Sequence, residues 1–203
     1  MKLIVGSGGS PFVRKVEIGL HELGISNDIE RLPMVTSPTQ PNSELVAINP
    51  LGKLPTLVLD NGDILNGSAV ILEFLDGFQG ENKLLPSKGA ERWEALSLQG
   101  LSDGMMEAQV IHYYEKERRP LDKQWKDWAD GQMGKIDRVL VYLENRTDSF
   151  TDKLNVGNIS LACALGFLNL KFSEKQWSKD YPSLANWFVE FSKRQSMVVT
   201  APK

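Results

Sequence analysis

Hydrophobic residues in the first part of the chain fall into short runs that predict strands. Lys2–Val5 is such a run, and we expect further strands at 29–32, 56–59 and 64–65. The last two runs are separated by Asp60–Asp63, a sequence typical of a tight turn between antiparallel strands. The pattern therefore predicts a small sheet that contains at least one hairpin.

Two amphipathic stripes in the same region predict helices, because their apolar positions recur every three or four residues. These positions are Val13, Val16, Leu20 and Leu23 in the first stripe and Val70, Ile71, Phe74 and Leu75 in the second. We expect Gly24 to end the first helix and Ser68 to cap the second. The predicted order is β-α-β, an irregular stretch, then β-β-α.

The second part of the chain repeats apolar side chains at helical spacing almost throughout. We expect helices at 93–114, 125–143 and 159–172, and a last one at 184–191. The segment 159–172 is apolar nearly all round, which is typical of a helix at the centre of a bundle. The predicted fold is an α/β N-terminal domain followed by an all-α helical bundle.

A change in composition predicts a boundary between these domains near residue 80. All five Trp and all four Tyr come after it, whereas six of the ten Pro come before it. Gly80–Ser87 is polar, begins with glycine and contains a proline, so it is predicted to be a linker. We therefore expect an N-terminal domain at 1–79 and a helical C-terminal domain at 88–203.

Composition and charge exclude several classes of protein. With 203 residues, 41% of them hydrophobic and 24% charged, the chain is typical of a globular protein. The net charge of −3 argues against nucleic-acid binding, which needs a concentrated basic surface. A single cysteine, Cys163, cannot form an internal disulfide and favours a reducing compartment. No apolar run is long enough for a signal peptide or a membrane span, so we expect a cytoplasmic protein without a membrane partner.

Most familiar catalytic motifs are missing. His21 and His112 are each isolated from any other likely metal ligand, so we expect no metal site. There is no Cys-x-x-Cys pair for dithiol chemistry and no phosphate-binding loop of either common spacing. Cys163 falls within an apolar helix, which favours an inert core thiol over a reactive one.

Ser10 lies at the junction between the first strand and the first helix. Pro11 follows it, and proline is well suited to the first helical turn. One interpretation is structural, with Ser10 capping the helix. The other is functional, because free N–H groups and the helix dipole favour an anion there, and a hydroxyl at that place can stabilise a thiolate. Ser7 is a weaker second candidate.

Asn49–Thr56 carries two prolines and one glycine directly before a predicted strand. A cis bond between Leu54 and Pro55 would expose the backbone of Leu54 to a peptide-like ligand. The alternative is a tight loop held by its prolines, with no role in binding.

Together these features resemble a cytosolic glutathione S-transferase, most of all bacterial members with a serine-type site. The resemblance rests on Ser10–Lys15, Asn49–Pro55, the helix start at Ser68, the order of elements and the helical second half, and it extends over essentially the whole chain. It implies a thioredoxin-like N-terminal domain, a homodimer, and glutathione bound as co-substrate in the cleft between the domains.

The resemblance also implies a role for individual residues. Ser10 corresponds to the catalytic serine that hydrogen-bonds the glutathione sulfur and stabilises its thiolate. Leu54, held by a cis Pro55, corresponds to the residue whose backbone pairs with the cysteinyl unit, and Lys53 to a contact with the glycine carboxylate. Ser68 corresponds to the hydroxyl that receives the γ-glutamyl carboxylate together with the helix N-terminus. The other implied glutathione-binding positions are Phe12, Gly67 and Asp103.

The chain departs from the family pattern at two positions. An acidic residue usually precedes the serine at the helix start and pairs with the γ-glutamyl ammonium, but here the residue is Gly67. Losing such a bond costs about 1.5–3 kcal/mol, and Asp103 of the facing subunit is our candidate to replace the charge. The second departure is Asn158, where the family usually has Asp in the capping box that begins at Asn155. There we expect an effect on stability alone.

The sequence therefore supports two functional hypotheses. One is a glutathione transferase that joins the glutathione thiolate to small hydrophobic electrophiles, in a role typical of detoxification. The alternative is a binding or stress-related interaction protein on the same fold, with weak or no catalysis, which Gly67 favours. An electrophile pocket is expected around Met105, Met106, His112 and Tyr113, although these side chains fit the bundle core equally well.

Overall fold

The computed structural model describes residues 1–6, 9–78, 80, 82–150 and 153–202. It contains a four-stranded sheet formed by β1 (Lys2–Val5), β2 (Glu30–Pro33), β3 (Thr56–Val58) and β4 (Ile64–Asn66), in the order β2-β1-β3-β4. β1 is parallel to β2 and antiparallel to β3, and β3 is antiparallel to β4. All four predicted strands are confirmed, the first with the predicted bounds and the other three with bounds shifted by one residue.

Three helices belong to the same part of the chain: α1 (Pro11–Glu22), α2 (Ser43–Ile48) and α3 (Ser68–Phe78). The C-terminal end of α1 agrees with the prediction. Gly24 follows the helix closely and has a φ of +75°, a conformation that glycine adopts without strain and that ends a helix. α2 corrects the expectation of an irregular stretch. It has six residues, too few for a periodic pattern, although the side chain of Asn42 caps it by accepting from the Leu45 N–H at 3.0 Å.

The second part of the chain is helical. Its helices are α4 (Ala90–Glu117), α5 (Lys126–Glu144), α6 (Val156–Lys171), α7 (Trp177–Asp180), α8 (Pro182–Phe191) and α9 (Gln195–Val199). The four predicted helices correspond to α4, α5, α6 and α8. The expectation that the helix at 184–191 is the last one is wrong, because α9 follows it, and α7 was also missed. Both are too short to produce a helical repeat of apolar positions.

α6 lies at the centre of the bundle, as its sequence predicts. Twelve of its residues are buried, and it packs on α4 and α1. Asn155 caps it by accepting from the Asn158 N–H at 3.0 Å, and the Asn158 side chain donates to the carbonyl of Phe150 at 2.7 Å. A Cβ on Gly157 would lie 2.7 Å from the carbonyl oxygen of Ala95. Glycine is therefore what allows α6 and α4 to approach so closely.

The fold is thus a thioredoxin-like α/β part followed by a mainly helical part, as predicted. Between Phe78 and Ala90 no helix or strand is present in the residues described, and the exact domain limits stay a prediction. Within the described ranges no single helix is long and apolar enough to cross a membrane. One bent pair, Val156–Lys171 with Ser173–Asp180 at 94°, meets those criteria of length and composition.

Candidate functional site

Three sequence motifs meet at one edge of the sheet. Ile4 of β1 pairs with Thr56 of β3, and Thr56 pairs with Asn66 of β4. Because β3 runs antiparallel to both neighbours, the end of β1, the start of β3 and the end of β4 share an edge. Three segments therefore converge at this edge. One leads from β1 to Ser10, one leads from Pro55 into β3, and one leads from β4 to Ser68.

Ser10 begins α1 and is its N-cap. Its hydroxyl oxygen accepts from the Val13 N–H at 3.4 Å, and Pro11 occupies the first helical turn. This N···O distance is longer than that of an ordinary N–H···O hydrogen bond. The hydroxyl proton is not used by this cap, so the side chain retains a donor for a ligand. The structural interpretation of Ser10 is confirmed, and the functional one is compatible with it.

The loop before β3 is held from inside by Asn49. Its buried amide donates to the carbonyl of Lys53 at 3.0 Å and to the hydroxyl of Thr56 at 2.9 Å. The Leu54–Pro55 bond is cis, as predicted. A Cβ on Gly6 would lie 3.3 Å from the Leu54 side chain, so this loop touches the segment after β1. Asn49 was part of the sequence motif, but its organising role depends on contacts visible only in the fold.

The start of α3 receives no side-chain cap from the residues that the structure describes. Ser68 is the first helical residue and not the cap, which corrects the prediction by one position. The cap position belongs to Gly67, whose carbonyl accepts from the Ile71 N–H at 3.1 Å. Its φ of +87° is one that glycine adopts without strain. Among the described residues no hydrogen bond to the Ser68 hydroxyl is seen, so it and the first N–H groups of α3 are available to an anion.

Asp103 is engaged within its own chain. Both of its carboxylate oxygens accept from the ammonium of Lys15, at 2.8 and 2.7 Å. The Lys15 side chain is fully buried, whereas 21% of Asp103 is exposed. Burial lowers the pKa of Lys15, and Asp103 opposes that shift. Whether Asp103 also contacts glutathione across a dimer stays a prediction.

Two further predicted site residues, Phe12 and Lys53, lie close to Ser10 and Leu54 along the chain. Phe12 is partly buried against the hydrophobic core, one residue into α1. Lys53 is exposed beside Leu54, with its ammonium free of any ion pair to a described residue. Ser7 lies outside the described residues.

A cavity of about 400 Å³ opens beside Ser10. It runs between one face of α1, the second half of α6 and the C-terminal segment 199–202, and its wall includes the guanidinium-bearing Arg14. Sequence reasoning missed both Arg14 and the C-terminal segment. The available signal was the spacing of Arg14, four residues after Ser10 and therefore on the same helix face.

Of the four side chains predicted for an electrophile pocket, two are core. Met105 and Met106 are 1% and 0% exposed and pack in the hydrophobic core. His112 contacts the ring of Phe172 at a centroid distance of 5.3 Å, and burial lowers its pKa. Tyr113 is partly exposed, with the ammonium of Lys171 5.2 Å from its ring centroid.

Cys163 is a buried thiol in the wall of the same cavity. Burial raises its pKa to about 12, and the nearby charge of Arg14 only partly opposes this shift. A thiol with such a pKa is a poor nucleophile near neutral pH. The prediction of an unreactive core thiol therefore agrees with its surroundings. In the described part of the chain no group of three His, Cys, Asp or Glu side chains is placed to hold a metal ion.

Comparisons with known proteins agree with this geometry. A family profile described as the glutathione S-transferase N-terminal domain matches residues 9–77. YibF, an uncharacterized GST-like protein of Escherichia coli strain K12, is 34% identical over 206 residues, covering 100% of this chain and 98% of YibF.

Two solved structures of a glutathione transferase family member from Pseudomonas fluorescens Pf-5 are also similar. The structure with bound glutathione is 41% identical, with a TM-score of 0.95, and the match covers 99% of each chain. The structure with bound S-(propanoic acid)-glutathione is 40% identical, with a TM-score of 0.91, and the match covers 100% of each.

Proposed function

Because this chain belongs to the glutathione S-transferase family, we propose that it joins the glutathione thiolate to small hydrophobic electrophiles, with a serine-type site. The observation that carries this proposal is the convergence of three motifs at one sheet edge. The Pseudomonas fluorescens relative, about 40% identical over the whole chain, binds glutathione in one structure and an S-conjugate of glutathione in the other, which supports the same ligand here.

Each motif suits one part of the tripeptide. The open start of α3, with the hydroxyl of Ser68, receives the γ-glutamyl carboxylate. The backbone of Leu54 pairs with the cysteinyl unit, and Lys53 attracts the glycine carboxylate. These assignments place the sulfur toward Ser10, because Leu54 touches the segment between β1 and α1.

Ser10 is the proposed catalytic residue. Its hydroxyl donates to the glutathione sulfur, which favours the thiolate and lowers the pKa of the thiol. The start of α1 adds the positive end of a helix dipole at the same place. The cavity beside Ser10 then holds the electrophile against the sulfur, so that the reaction proceeds between two oriented groups.

Gly67 favours a second candidate, a glutathione-transferase-like binding or stress-related protein with little catalysis. Glycine offers no carboxylate to the γ-glutamyl ammonium, and a Cβ at this position would meet nothing within 4 Å. On the first proposal, Asp103 of a partner subunit supplies the missing charge. A homodimer in the cytoplasm is part of that proposal, and light scattering checks it by giving the mass of two chains or of one.

The decisive experiment is a thermal-shift titration with reduced glutathione, alongside S-methylglutathione. At about 100 times its dissociation constant a ligand stabilises the folded state by about 2.7 kcal/mol, and we expect a clear rise of the melting temperature with both compounds. The methylated compound tests the binding site without the thiol. No shift at millimolar concentration would reject the transferase proposal and favour the interaction protein.

A further inference from the structure

The guanidinium of Arg14 is an unneutralised cation in the wall of the cavity beside Ser10. Burial lowers the pKa of Arg14, which shows that its surroundings disfavour the charge. Among the described residues no carboxylate forms an ion pair with it. Glu17, which lines the same cavity, is already paired with Arg31 at 2.7 Å.

Most of the hydrogen-bonding capacity of Arg14 is unused. A guanidinium has five N–H donors, and one hydrogen bond is made within the described chain, from Nη2 to the carbonyl of Met197 at 3.1 Å. The Nε atom is buried and has no partner among the described residues, so a ligand in the cavity can reach the guanidinium only through its Nη atoms. A carboxylate is the ligand that satisfies two such donors at once, through parallel hydrogen bonds.

The fold makes room for this guanidinium at one position of α6. A Cβ on Gly166 would lie 2.7 Å from an Nη atom of Arg14. The cavity wall around the charge is otherwise largely apolar, with Val13, Phe167 and Leu170 among its residues. An unpaired cation in an apolar wall attracts an anion more strongly than the same cation in water.

We propose that Arg14 binds a carboxylate on the second substrate, so that the preferred electrophiles are small apolar acids such as α,β-unsaturated carboxylates. This inference rests on the proposed function, because it places the glutathione sulfur at Ser10. Arg14 lies four residues further along α1, about 6 Å along the helix axis. Both residues line the same cavity, so a short acid can reach both groups.

The chemistry fits a conjugate addition. The glutathione sulfur forms a bond to the β-carbon of the acid, the π bond of the alkene breaks, and its electron pair moves onto the α-carbon and the carboxylate. The α-carbon then takes a proton from water. Because negative charge grows on the carboxylate during this step, a guanidinium in contact with it stabilises the transition state more than the ground state.

Two glutathione conjugates of equal size test the inference by calorimetry. S-(2-carboxyethyl)glutathione carries the carboxylate, and S-(2-carbamoylethyl)glutathione carries a neutral amide in its place. We expect the acid to bind about 10-fold tighter than the amide, the gain typical of a hydrogen bond to a charged group. In Arg14→Met we expect equal binding of both compounds, with the affinity for the amide unchanged.

Two further variants test whether the position of the Arg14 guanidinium matters as well as its charge. Gly166→Ala keeps every charge but displaces the guanidinium, so we expect it to reduce the preference for the acid, and it serves if Arg14→Met does not fold. Arg138→Met removes an exposed arginine of α5 and is expected to keep the full preference. Equal binding of acid and amide by the unchanged protein would overturn the inference alone. Binding of neither compound would overturn the proposed glutathione site, and this inference with it.

Discussion

The helices α1 and α3 begin at the same edge of the sheet, yet their N-termini are built differently. α1 carries a side-chain cap from Ser10, followed by Pro11, and is anchored to α4 through the Lys15–Asp103 ion pair. α3 begins after Gly67, which has no side chain to cap the helix. It is anchored at its other end, where Asp76 accepts from the N–H groups of residues 84 and 85 at 2.9 and 2.8 Å.

The difference suits two kinds of ligand atom. At the start of α1 the chain satisfies one of its own N–H groups and leaves a hydroxyl proton, which suits a single sulfur anion. At the start of α3 several N–H groups and the Ser68 hydroxyl find no partner in the described part of the chain, which suits the two oxygens of a carboxylate. Each helix start is therefore a distinct part of one proposed site. Three experiments test α1 and α3, and a fourth tests the buried thiol of Cys163 in the wall of the cavity beside Ser10.

The anchor of α1 gives the largest expected effect. Asp103→Asn leaves the fully buried Lys15 without its partner, and we expect a loss of about 3 kcal/mol in the free energy of unfolding. Lys15→Met is expected to cost less, because Asp103 keeps part of its contact with water. Urea denaturation measures both. No loss of stability in Asp103→Asn would show that the ion pair does not hold α1, and an unchanged glutathione affinity in a folded Asp103→Asn would exclude Asp103 from the site.

Removing the hydroxyl at the start of α1 tests catalysis. We expect Ser10→Ala to reduce turnover about 100-fold, on the scale of a lost donor to a developing anion. Because the same change removes the helix cap, it also costs about 1 kcal/mol of stability. Ser10→Asp is the control, since aspartate caps a helix as well as serine does but has no proton to donate to the sulfur. If Ser10→Asp restored both stability and turnover, capping would be the whole role of Ser10.

Changes at the start of α3 are expected to alter affinity and leave turnover at saturation nearly unchanged. Ser68→Ala should raise the dissociation constant of glutathione about 10-fold, through a lost hydrogen bond to a carboxylate. Gly67→Asp and Gly67→Asn form a matched pair, because both place a side chain at the same positive φ. Calorimetry should show tighter binding for the Asp variant. Equal affinities would mean that the γ-glutamyl ammonium lies elsewhere.

The smallest expected effect is a change of stability with pH that comes from Cys163. Its thiol has a raised pKa, whereas the proposed site lowers the pKa of the glutathione thiol. The folded pKa of Cys163, about 12, lies above the ordinary value of 9.0, so the unfolded chain loses this proton first as pH rises. Stability must then fall between about pH 9 and 12, by about 1 kcal/mol at pH 10. Comparing the protein with Cys163→Ala by urea denaturation at pH 8 and pH 10 isolates this contribution. A difference that stays constant with pH would contradict the raised pKa.

Local sequence was sufficient for most of the secondary structure, although it missed α2, α7 and α9. Strands of three or four residues were found because glycine and turn residues mark their ends. The missed helices have four to six residues and show no repeat of apolar positions. Of the site, the motifs around Ser10, Leu54 and Ser68 were recognised from residue types and spacing.

What the sequence determined by itself was the order of the strands and of the longer helices and the capping of α1 and α6, because these depend on neighbouring residues along the chain. The cis bond at Pro55 was one of two interpretations of its loop, and the structure decided between them. Only the tertiary structure decided the pairing of Lys15 with Asp103, 88 residues away, and the unpaired state of Arg14 beside Gly166. The physical reason is that the free energy of a buried charge depends on which distant groups the fold brings against it.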